Sequence, residues 1–146
     1  MVSGLFRYEE TDSIVGCDAI EPKDNLCVLV VTNDGYGKRV KLDEFRQQGR
    51  GGVGIIGTKF KTAKSKLACL NVVDADSQIV IATANGIVVR QQVSEISAQG
   101  RMATGVRIQQ IGADDSVVSV SPIVVPETVD DDGIENGQEN GESEST

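Results

Sequence analysis

Four glycines around one arginine make Gln47-Gln48-Gly49-Arg50-Gly51-Gly52-Val53-Gly54 the stretch of this sequence most suited to binding chemistry. Glycine has no Cβ and lets the backbone approach another surface closely. The bared amides and the Arg50 guanidinium can then hydrogen-bond phosphate oxygens. The same composition also suits a flexible connection between structural units. It is not a nucleotide-triphosphate loop, because the GxxxxGK[ST] spacing and the strand–loop–helix context are missing. The stretch lies in a basic segment. Residues 38–66 carry nine bases (Lys38, Arg39, Lys41, Arg46, Arg50, Lys59, Lys61, Lys64 and Lys66) against Asp43 and Glu44, a net of +7. Residues 1–37 are net −5, residues 67–126 net −2, and residues 127–146 hold eight acids and no base. The overall charge of −8 therefore conceals a neutral body with one basic segment and an acidic tail. Such asymmetry points to a polyanion partner. The only aromatics near these cations are Tyr36, Phe45 and Phe60. That argues for contact with a duplex backbone rather than base stacking.

Other chemistry is excluded by composition. With no histidine there is no Ser-His-Asp triad, Cys-His dyad, imidazole base or His-containing zinc site. Cys17, Cys27 and Cys69 have no CxxC spacing, and they read as small buried hydrophobes in a reducing cytosol. The carboxylate pairs Glu9-Glu10, Asp43-Glu44 and Asp114-Asp115 read as solvated turn residues. No apolar leader opens the chain, and its longest uncharged apolar run, residues 77–89, falls short of the roughly 18 residues a bilayer span needs. The expectation is a soluble, cytoplasmic protein with no membrane partner.

The elements that must position the basic segment come from an internal repeat. A shift of 51 residues superposes Thr32/Thr83, Gly35/Gly86, Arg39/Arg90, Glu44/Glu95, Gln48/Gln99, Gly49/Gly100, Arg50/Arg101 and Gly54/Gly105. Periods of this size mark arrays and propellers. Each unit reads as strands. Leu26–Thr32 and Gln78–Thr83 are short β-branched runs followed by Asn33-Asp34-Gly35 and Ala84-Asn85-Gly86. These are hairpin signals of the kind with two residues at positive φ. Residues 36–42 and 87–93 are the returning strands. Residues 14–20 and 67–73 supply an upstream strand per unit, and residues 54–56 and 105–111 a downstream one. A turn of helix fits residues 42–48. About four strands per unit is a propeller-blade layout. The organisation read from this is a lead-in (1–12), a first blade (13–64), a second blade (65–115), a closing strand (116–126) and a tail (127–146) too polar to fold.

Thr32-Asn-Asp-Gly-Tyr-Gly-Lys-Arg39, Asp43-Glu-Phe-Arg46, Gln48-Gly-Arg-Gly-Gly-Val-Gly54, Thr83-Ala-Asn-Gly86 with Arg90, Val93-Ser-Glu-Ile96, Gly100-Arg101 and Gly105-Val-Arg107 closely resemble the C-terminal domain of DNA gyrase A. The resemblance covers about residues 13–125. It implies an all-β, propeller-like β-pinwheel with DNA wrapped on its basic rim to support negative supercoiling, and a chain that holds the last two blades and the acidic tail. The basic segment and the matched motifs together give the residues expected to contact DNA: Lys38, Arg39, Lys41, Arg46, Arg50, Gly51, Gly52, Lys59, Lys61, Arg90 and Arg101. The implied partners are duplex DNA, the rest of gyrase A, and gyrase B. Catalysis, ATP and Mg belong to the whole enzyme, a type IIA DNA topoisomerase, and this chain holds no cofactor. The family's box reads Gln, basic, Arg, Gly, Gly, basic, Gly. Here Gly49 and Val53 replace its two basic positions, which weakens wrapping by this loop. Two other readings stay open: a structural or protein-interaction fragment, and the equivalent domain of topoisomerase IV.

Overall fold

A computed structural model describes residues 13–21 and 23–123. The lead-in, the tail and the end of the closing strand lie outside the described residues. The strands are β1 (Leu26–Thr32), β2 (Tyr36–Lys41), β3 (Leu67–Asp74), β4 (Gln78–Thr83), β5 (Val88–Gln92), β6 (Val106–Arg107) and β7 (Val117–Ile123), with single 3-10 turns at Leu42–Glu44 and Val93–Glu95. The chain is all-β, as the resemblance implied. Helix is confined to those two turns among the described residues, the first inside the stretch where a helical turn was expected.

Two antiparallel sheets form, in the orders β3-β1-β2-β6 and β5-β4-β7. Each is centred on a hairpin but completed by strands from the following unit. β3, which opens the second unit in sequence, pairs with β1 through Cys27↔Val73 and Leu29↔Asn71. β6, also from the second unit, pairs with β2 through Tyr36↔Arg107. β7 pairs with β4 in the same way through Ile81↔Val120. The sheets therefore hold four and three strands.

This interleaving explains where the sequence-based strands fail. Residues 14–20, expected as a strand, form none and are exposed. Their repeat counterpart, β3, takes its ladder from β1, whereas residues 14–20 share no ladder with any described strand. Residues 54–56 form no strand either, and the expected strand over 105–111 shrinks to β6. The rest of that stretch instead folds over the first hairpin, where Ile108 N donates to Gly35 O at 2.9 Å.

The hairpin turns also differ from expectation. Positive φ occurs only at glycine among the described residues, at Gly35 (83°) and Gly86 (86°) in the two hairpins. Gly35 N donates to Thr32 O, and Gly86 N to Thr83 O, both at 3.0 Å. Each is a three-residue loop, in which an ordinary turn is followed by one left-handed glycine. Asp34 and Asn85 thus avoid the strained conformation that a two-residue loop would require of them.

The core lies between the sheets. Cys27, Leu29 and Val31 of β1 pack with Cys69, Val73, Ile79, Ile81, Val93, Ile96, Val117 and Val120. The opposite face of β1 (Val28 and Val30) joins Val40, with Leu42, Phe45, Leu67, Leu70 and Val72 around it. β1 is therefore buried on both faces, whereas β4 alternates. Cys27 and Cys69 are buried as expected, and burial pushes the Cys69 thiol up to about 11. Cys17, also expected inside, is exposed. Its segment runs beside β3, where Val72 N donates to Asp18 Oδ2 at 3.0 Å, but forms no ladder there and leaves Cys17 open to solvent. Among the described residues, no helix is long and apolar enough to cross a membrane.

Candidate nucleic-acid interface

The basic segment divides into cations that face solvent and cations that join the two units. Lys38 alternates inward from β2 and is fully buried. Its Nζ donates to the backbone carbonyls of Gly100 (2.9 Å), Arg101 (2.6 Å) and Ala103 (2.7 Å). Burial lowers its pKa, Glu44 opposes the shift and Arg101 adds to it. An ammonium enclosed this way is not presented to a phosphate; it fastens the second unit's loop to the first unit's strand. Arg39 has a similar post. Its guanidinium donates from Nε to Ile96 O (2.6 Å) and from Nη2 to Ser94 O (3.1 Å). Its backbone meets Ser97 O and Gln99 N at 3.0 and 2.8 Å.

Lys41, Arg46, Arg50, Lys59, Lys61, Lys64 and Lys66 are exposed. Lys41 ends β2, and Arg46 follows the turn at Leu42–Glu44. Arg50, Gly51 and Gly52 lie in an open loop. A Cβ at Gly49, Gly51 or Gly54 would meet nothing within 4 Å, and one at Gly52 only the flexible Gln48 side chain and the loop's own backbone. Lys59 is anchored through its backbone, which donates to Ala103 O at 3.3 Å. Arg90 is exposed, with its Nε donating to Gln78 Oε1. Arg101 is half-buried and returns to the connection between units by donating to Ile56 O at 2.8 Å.

Two residues outside the sequence-derived set stand beside these cations. The Tyr36 ring has Lys61 Nζ 5.8 Å and Arg107 Cζ 5.4 Å from its centroid. Arg107 Nη2 also donates to the Tyr36 hydroxyl at 3.2 Å. The sequence signal for Arg107 was its place in Gly105-Val-Arg107; nothing in the sequence brought it to Tyr36, 71 residues earlier. The hairpin is braced below. Asp34 accepts from Thr32 Oγ1 (2.5 Å) and Ser65 Oγ (2.6 Å). Burial alone would raise the Asp34 pKa, but the Ser65 and Thr32 hydroxyls, its own backbone amide and the Arg107 charge together hold it below the ordinary value.

The docking of the two units depends on one close approach. Gly105 has φ of 93°, and a Cβ there would lie 2.7 Å from Gly37 O. A Cβ at Gly37 would in turn strike Ile108. Only bare backbone on both sides lets β6 lie against β2.

Comparison with known proteins places this geometry. The family model described as DNA gyrase C-terminal domain, beta-propeller, matches residues 28–64 and 77–123. The DNA gyrase A protein of Synechocystis sp. is 42% identical over 118 residues, 77% of this chain and 14% of that protein. The DNA gyrase A protein of Staphylococcus epidermidis is 34% identical over 122 residues, 84% of this chain and 14% of its own length. This chain thus spans about one seventh of those relatives. A solved DNA gyrase A C-terminal domain superposes with a TM-score of 0.64 at 29% identity, over 70% of this chain and 35% of that one. The C-terminal domain of a DNA topoisomerase IV superposes with a TM-score of 0.73 over 81% of this chain and 36% of that one. At 22% identity, that second likeness speaks for the fold alone. Because the family model covers more than half of the sequence and the relatives agree with it, the chain belongs to the DNA gyrase C-terminal domain family, as part of a gyrase A C-terminal domain.

Proposed function

We propose that this chain binds the backbone of duplex DNA without regard to sequence, as the DNA-wrapping part of gyrase A. The observation that carries the reading is the set of seven exposed cations between Lys41 and Lys66, which remains after Lys38 and Arg39 have turned inward to hold the units together. Multiple lysines and arginines without a stacking platform favour phosphate contacts. In this reading the rest of gyrase A, together with gyrase B, supplies its partners in the cytoplasm. DNA cleavage and the use of ATP and Mg lie with them, and this chain contributes no catalytic group or cofactor. Relatives named as gyrase, rather than a fold-level likeness to topoisomerase IV, support gyrase as the parent.

The test is a titration of the whole chain with duplexes of unrelated sequence across a range of salt. Affinity should fall linearly with log salt, by a slope of about −0.9 for each phosphate neutralised. Arg46→Gln with Arg50→Gln should lower both affinity and slope. Deleting residues 127–146 should tighten binding by removing eight competing acids. Absence of binding at low salt, with and without the tail, would replace this reading with an interaction fragment.

A further inference from the structure

We infer that Tyr36, Lys61 and Arg107 form one phosphate-backbone clamp across the junction of the two units, with the tyrosine ring as its mount. This rests on the duplex-binding reading and gives it a specific contact. The three residues come from different parts of the chain. Tyr36 opens β2, Lys61 lies in the connection after the glycine-rich loop, and Arg107 ends β6. Tyr36 and Arg107 are register partners in the first sheet, so strand pairing itself brings the arginine to the ring.

Both cations are exposed, and each lies within the reach at which a ring face attracts a cation. The two centroid distances, 5.8 and 5.4 Å, limit the separation of their charged centres to about 11 Å. Nearby Asp34 is engaged by two hydroxyls and supplies one negative charge against two positive ones. Two like charges held on one ring repel, and an anion between or beside them relieves that repulsion. A sugar–phosphate backbone carries such anions at short intervals. Because Lys61 and Arg107 bridge the units, a strand held here passes directly over the junction. The second unit has no counterpart. The position matching Tyr36 is Ile87, 49% exposed, and the position matching Lys61 is Gly112.

The distinguishing experiment changes no charge. In the full chain, Tyr36→Leu should weaken duplex binding about five-fold and lower the salt slope, because each cation loses its mount. Tyr36→Phe keeps the ring and should stay within about two-fold of the parent. Lys61→Gln and Arg107→Gln should each lower the slope by about 0.9. Ile87→Leu should change nothing. Far-ultraviolet spectra and unfolding midpoints check that the variants fold. If Tyr36→Leu does not fold, the Lys61→Gln and Arg107→Gln slopes decide, and unchanged slopes overturn the clamp. Unchanged affinity and slope in a folded Tyr36→Leu, with Arg46→Gln/Arg50→Gln still weakening binding, overturns the clamp and leaves duplex binding standing. No duplex binding by the parent chain overturns both.

Discussion

The loops at residues 48–54 and 99–105 share Gln, Gly, Arg and a final Gly at the same spacing, yet they live in opposite surroundings. The second is docked. Lys38 fills its carbonyls, Gln99 Oε1 accepts from Gly105 N at 3.1 Å, and Gly105 lies against Gly37. The first is open, with free space over Gly49, Gly51 and Gly54. The shared residues encode a capacity to dock, and the hairpin of a neighbouring unit decides whether it is used. The hairpins themselves differ to match. Where the first offers Tyr36, Gly37 and Lys38, the second offers Ile87, Val88 and Val89. Val88 is 65% exposed, and its side chain occupies the position where Gly37 admits the backbone of β6. A loop of the same design would not seat on β5 as it does on β2.

Substitutions at matched positions can break or sharpen this contrast. The largest effect is expected at Gly105. Gly105→Ala adds left-handed strain and drives a methyl into Gly37, and should destabilise the chain by about 3 kcal/mol or more in a denaturant titration. Gly54→Ala has the same backbone conformation and no obstacle, and should cost only about 1–2 kcal/mol. Equal losses would mean that docking contributes nothing beyond backbone strain. Next, Lys38→Met strips three carbonyls of their donor and should cost about 1–3 kcal/mol. Val89→Lys, at the matched and half-buried position, touches no such network and should cost no more than about 1 kcal/mol. If thermal melting shows Lys38→Met to be harmless, the lysine does not fasten the units.

A smaller effect belongs to the hairpin braces. In the first unit the acid sits in the turn, as Asp34. In the second the turn has Asn85, and the acid comes from the connection, where Asp115 Oδ1 accepts from Asn85 N at 3.0 Å. Asp34→Asn should cost about 1 kcal/mol. Its pKa is depressed in the fold, so its stabilisation is present above the unfolded value near 4 and is lost as pH falls through the folded one. The variant should flatten that part of the stability–pH curve, as followed by unfolding at stepped pH.

The sequence disclosed much of this and concealed the rest for a physical reason. Strand periodicity and hairpin glycines placed β1, β2, β4 and β5 within a residue or two, because those signals are local. What it hid was pairing at a distance. Leu67–Asp74 was legible as a strand, but nothing in its pattern of apolar residues names β1 as its partner. Residues 14–20 have the same character and form no strand, since a strand needs a backbone ladder as well as a propensity, and beside β3 they reach it through the Asp18 side chain. Among the cations, charge density marked the segment. It could not separate Lys38 and Arg39, which are held at the junction, from Lys41, because on one short strand such residues differ only in which side of β2 and which neighbour they meet.

The sharing of strands between units also sets an order of events during synthesis. The first sheet spans residues from Leu26 to Arg107, so a chain emerging from the ribosome can cover the β1 flank of the first hairpin once Asp74 is out, but leaves the β2 flank bare until Arg107 has followed. The stretch duplicated in the gene and the sheet completed in folding are therefore offset from each other. A repeat inserted after the second unit would meet Val88 where β6 meets Gly37, so it completes the sheet before it only if that hairpin also carries a glycine. Variation in repeat number is thus governed by the one hairpin position that admits or refuses the strand of the next unit.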